Sequence, residues 1–105
     1  MKRRAAFDRA LAVDVRSAAT WTDRAVSLLQ LGRASDALAA CERSIGVDPK
    51  FAMARFWKAA AEERLGRPGE AVKSYQQFLA FASLLQGAQI RMAQQRIAAL
   101  RAGPS

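Results

Sequence analysis

Two consecutive stretches decide how this chain folds: residues 18–51, AATWTDRAVSLLQLGRASDALAACERSIGVDPKF, and residues 52–85, AMARFWKAAAEERLGRPGEAVKSYQQFLAFASLL. Laid one over the other, they place Leu31-Gly32-Arg33 on Leu65-Gly66-Arg67, Ala25 on Ala59 and Ala37 on Ala71. The same offset, 34 residues, carries Ala59 onto Ala93 and runs the segment Cys41–Asp48 back onto Phe7–Asp14 and forward onto Tyr75–Ala82. A fixed period of this size marks an array of identical supersecondary units, each too small to bury its apolar face without a neighbour.

Within a unit the pattern is helical. Residues 18–31 carry Trp21, Ala25, Leu28, Leu29 and Leu31 at spacings of three and four, one apolar stripe on a helix. Gly32 stands where the helix must end in a left-handed residue, a conformation glycine adopts without steric cost. Ser35 and Asp36 then offer an N-cap oxygen and first-turn negative charge to a second helix over about 35–47. Asp48-Pro49 closes the unit and should open the next, with Asp48 as N-cap and Pro49 at the first helical position. The second unit predicts a helix near 50–64, a turn at Gly66-Arg67-Pro68-Gly69 and a helix near 70–82. Residues 2–14 read as half of an upstream unit, and 86–101 as a capping helix with Gln89, Arg91, Gln94, Gln95, Arg96 and Arg101 outward. The half unit also suggests an excerpt of a longer array. The expected fold is all-α: a right-handed helix-turn-helix repeat array of about six helices in one domain over 1–105. A coiled coil would need sustained heptads without breakers, and here Gly and Pro return at the repeat spacing.

These residues resemble the tetratricopeptide repeat family over about residues 3–100. In the first unit Trp21, Ala25, Leu28, Gly32, Ala37, Cys41 and Pro49 occupy the family's signature positions. In the second they become Arg55, Ala59, Glu62, Gly66, Ala71, Tyr75 and Ser83; Arg55, Glu62 and Ser83 depart from the pattern. The resemblance implies that the first helix of each unit lines a concave groove that holds another protein. Carried onto this sequence, the groove takes in Thr22, Val26 and Leu29, then Met53, Phe56, Trp57, Ala60 and Arg64, then Ile90 and Arg91. Its centre would be apolar and its rim charged, which suits a peptide or partner helix with apolar anchors. Phe56 and Trp57 are adjacent on a helix and point about 100° apart, so at most one lies deep in the core. One subgroup of the family grips acidic C-terminal tails through a two-carboxylate clamp; its five positions are Thr22, Val26, Trp57, Gly87 and Arg91 here, and Arg91 alone matches.

Composition narrows function further. The chain has no histidine, one cysteine, and no cluster that suggests a nucleophile, a metal centre or a phosphate loop, so neither an enzyme nor a cofactor is expected. Cys41 falls where other units carry Phe7 and Tyr75, and is expected to pack as a small buried hydrophobe. No stretch approaches the ~20 apolar residues of a membrane span, and Asp8 and Asp14 interrupt any signal-peptide core, so a cytoplasmic location is the default expectation. The net charge of +8 arises from 17 Lys+Arg against 9 Asp+Glu. It suits an acidic protein partner; a nucleic acid is the weaker alternative, because no interleaved stacking aromatics accompany the charge. Self-association through an exposed terminal helix is a third reading.

Overall fold

A computed structural model describes residues 17–103. Among them are five α-helices: α1 (Ala18–Gln30), α2 (Ala34–Val47), α3 (Ala52–Arg64), α4 (Pro68–Phe81) and α5 (Gly87–Ala102), with a single 3₁₀ turn at Leu84–Gln86. The sixth expected helix, over residues 2–13, lies outside the described residues. Each helix packs on the next in sequence, and α1 also packs on α3. The first helices of successive units are therefore side by side, with the second helices behind them.

The turns explain the hairpins. Gly32 and Gly66 both take positive φ, 77° and 73°. At each, the glycine and the arginine after it donate their N–H groups back to the last turn of the preceding helix, for example Arg33 to the Leu28 carbonyl at 2.8 Å. This is the left-handed closure foreseen from sequence.

The capping residues differ from expectation. Ser35 lies inside α2, whose N-cap is Arg33 with no side-chain cap; Asp36 does stand in the first turn as expected, and accepts from Arg33 Nε at 2.8 Å. Asp48 ends α2 rather than starting α3, and its Oδ1 accepts the Lys50 N–H at 3.0 Å, an Asx turn. The helix therefore starts later, at Ala52. Conversely α4 starts at Pro68, earlier than read, because the fixed proline φ is already helical. Ser17, whose side chain accepts the Thr20 N–H at 3.2 Å, caps α1.

Alanines hold the stack together. Ala25, Ala37, Ala59, Ala71 and Ala93 are completely buried, so paired helices approach as closely as a methyl allows. Two core clusters result. One gathers Ala25, Leu29, Ala37, Ala40, Cys41 and Ala61; the other gathers Phe56, Tyr75, Phe78, Ala93 and Ile97 with their alanines. Trp57 packs against both. Cys41 is free and fully buried, and burial pushes its thiol up to about 12.

Candidate functional site

The ten predicted groove residues divide by depth. Thr22, Leu29 and Phe56 are buried. Val26, Met53, Trp57, Ala60 and Ile90 are half-buried, and Arg64 and Arg91 are exposed. For the first three the expectation of a solvent-facing role does not hold, and the cause is visible in their partners. Ser44 Oγ donates to the Ala18 carbonyl at 2.7 Å, so its single proton is used and the Thr22 hydroxyl donates to Ser44 Oγ at 2.9 Å. Phe56, at the same repeat position as Thr22, meets Phe78, at the same position as Ser44, edge to face at 5.2 Å. That position thus points at the second helix of its own unit, in polar form once and aromatic form once. Leu29 is covered by α3 and joins the first core cluster.

Trp57 behaves otherwise. Its ring stands edge-on to Phe56 at 5.2 Å with part of its surface left open. One helical turn and more along α3, Ala60, Glu63 and Arg64 line an open depression of about 330 Å³. Arg64 reaches across to α1, where its guanidinium donates to the Leu29 carbonyl at 2.7 Å. Leu29 is in the last turn of α1, so a cation there also opposes the negative end of the helix dipole.

Glu63, next to Arg64 on α3, ties three helices together. Its carboxylate accepts from Tyr75 Oη on α4 at 2.6 Å and from Arg96 Nε on α5 at 3.1 Å, with the Arg96 terminal nitrogen at 2.5 Å. Burial by itself raises the Glu63 carboxyl, but the Arg96 and Tyr75 hydrogen bonds outweigh it and hold the group below its ordinary value. The same contacts push the Tyr75 hydroxyl up, after the larger effect of burial, and raise Arg96. Its neighbour Glu62 faces inward, buried, where Ser74 Oγ donates to it at 2.6 Å and Lys58 Nζ lies at 3.4 Å. Apart from the Lys58–Glu62 pair, four positions apart on one helix, sequence spacing gave no sign of these contacts, because their partners lie 12 or 33 positions apart and meet only through helix packing.

With the geometry in place, the family model described as tetratricopeptide repeat matches residues 4–49 and 22–84, most of the chain. The chain belongs to the tetratricopeptide repeat family. The fold agrees: the TPR2B domain in the "TPR2B-domain:pHsp70-complex of yeast Sti1" superposes with a TM-score of 0.76, at 23% identity, over 85% of this chain and 72% of that one. The search of curated proteins gives no match.

As a tetratricopeptide array, the chain departs from the family signature in compensated ways. Arg55 takes the place that Trp21 holds in the first unit. Arg43 lies 5.4 Å from the Trp21 ring. In the second unit the charge and the ring change places: Arg55 lies 5.4 Å from the Phe81 ring and donates to Gln77, at the Arg43 position, at 3.1 Å. Glu62 and Ser74 form a polar pair where the first unit has Leu28 and Ala40. Among the described residues no group of three or more His, Cys, Asp or Glu could hold a metal ion. No described helix is long and apolar enough to cross a membrane.

Proposed function

We propose that this chain is an adaptor, in which two units, residues 18–51 and 52–85, and a capping helix over 86–101 hold a peptide or helix of another protein along the adjoining faces of α1, α3 and α5. The observation that carries the reading is the placement of Trp57. It packs against both core clusters yet keeps part of its ring open, as a preordered anchor for an apolar side chain does. Val26, Met53, Ala60 and Ile90, half-buried on the same three helices, extend the apolar strip, and Arg64 and Arg91 supply exposed positive charge. Membership in a family of protein-interaction repeats and the likeness to a domain solved in a complex with pHsp70 support the same reading.

The ligand chemistry should differ from a two-carboxylate grip. Of the five clamp positions, Thr22 spends its hydroxyl on Ser44, Val26 and Trp57 are apolar, Gly87 has no side chain, and Arg91 alone offers a cation. An apolar anchor flanked by acidic residues fits better.

The test is affinity capture with wild type against Trp57→Ala and Val26→Asp, each checked by circular dichroism for an intact fold. Partners that bind the groove drop out with both variants. Retention of every partner by both folded variants rejects the reading. Phe56 is a poor probe, since its loss would damage the core.

A further inference from the structure

The corner where α4 turns into α5 presents a surface that the fold does not need. Leu84 and Leu85 are 97% and 96% exposed, almost as open as a side chain can be. They do not sit on a loose loop. Ser83 Oγ accepts the Leu85 N–H at 3.3 Å, and the Ser83 N–H donates to Gln86 Oε1 at 2.9 Å, a capping box that fixes the turn. Thirty-four residues earlier the same turn carries Lys50 and Phe51, so architecture does not demand a pair of leucines here.

The surroundings are apolar and cationic. Phe81, exposed at the end of α4, lies under the Arg55 guanidinium at 5.4 Å. Arg91 folds back toward Gly87, the residue next to the turn, its Nη1 3.6 Å from where a Cβ would stand. From Ala71 onward the chain carries neither Asp nor Glu, and of its four cations Arg96 is already paired with Glu63, which leaves Lys73, Arg91 and Arg101.

We propose that this corner docks on an anionic lipid surface, with Leu84 and Leu85 entering the interfacial region and the neighbouring arginines meeting the headgroups. The shape and the area favour a bilayer over a protein. Two leucines and part of a phenyl ring fall well short of the roughly 800 Å² per partner of a stable specific interface. A second copy would also bring Arg55 and Arg91 against their own kind. A bilayer needs no matching pocket, accepts protruding side chains, and adds electrostatic attraction for each nearby cation. Arg91 is shared with the groove proposed above but neither leucine is, so a variant of the leucines tests this reading apart from that one.

Vesicle co-sedimentation tests it, with pure phosphatidylcholine against an equal mixture of phosphatidylcholine and phosphatidylglycerol. Wild type should sediment with the anionic vesicles, not the neutral ones, and release as salt is raised. Leu84→Ser/Leu85→Ser keeps every charge and, since both side chains are exposed, keeps the fold; it should lose roughly ten-fold or more in partitioning. Undiminished sedimentation of the folded double variant would reduce the effect to bulk charge and overturn the proposal. So would absence of binding by wild type, or equal binding to neutral vesicles. A concentration-dependent dimer in light scattering, abolished by the same variant, would assign the corner to a second copy and also overturn it.

Discussion

Replacing Phe56 by Ala removes the ring at the centre of the second core cluster. That ring is 3% exposed and touches three others edge to face, Trp57 at 5.2 Å, Tyr75 at 5.7 Å and Phe78 at 5.2 Å. Buried Phe→Ala substitutions cost about 3–5 kcal/mol, the upper end applying where neighbours cannot collapse into the gap. Here the neighbours are stiff aromatic rings held on α3 and α4, and completely buried alanines set the helix spacing, so collapse is limited. The expected cost is therefore about 4–5 kcal/mol, against a total stability of roughly 5–15 kcal/mol for a domain. Trp57→Ala is the control. The ring next door on α3 is larger but half-open, so its removal should cost only about 2 kcal/mol. Urea unfolding followed by circular dichroism, with the slope compared between variants to guard against a changed unfolded state, measures both. If Trp57→Ala proved as damaging as Phe56→Ala, or Phe56→Ala cost less than about 2 kcal/mol, the assignment of one ring to the core interior and the other to its edge would be wrong.

Three further outcomes follow from the same packing. The folded-state Glu63 carboxyl lies below its unfolded value, so its contribution is present above the unfolded value and lost as pH falls through the folded one; Glu63→Gln should cost about 1–2 kcal/mol at neutral pH and flatten the acid limb of the stability curve below about pH 4.5, read by thermal melts across pH. Gly66→Ala should lose about 1 kcal/mol through its φ of 73° and not through a clash, because nothing lies within 4 Å of the added Cβ. The Cys41 thiol, buried and pushed up to about 12, should ignore a disulfide reagent at pH 8 in the native protein and react at once in denaturant.

The amino-acid order alone determined the helices, their pairing into units and the glycine turns. The reason is locality: a stripe at spacings of three and four, a left-handed glycine and a proline act over a single turn, and the 34-residue period multiplies their signal. The alanines at 25, 37, 59 and 71 were legible for the same cause, since their spacing states how closely helices must pack. The tertiary structure decided which side of a helix each side chain serves. Thr22 and Phe56 share one repeat position and look unrelated as residues, yet each meets its own partner, Ser44 or Phe78, across the unit. Trp21 beside Arg43 and Arg55 beside Phe81 are likewise two solutions to one slot. Such pairs lie 22 or 26 residues apart and are chosen by contact between helices, so a period shows where a position lies but not what it faces. Glu63, bound to α4 and α5 at once, is the clearest case, because only packing brings Tyr75 and Arg96 to the same carboxylate.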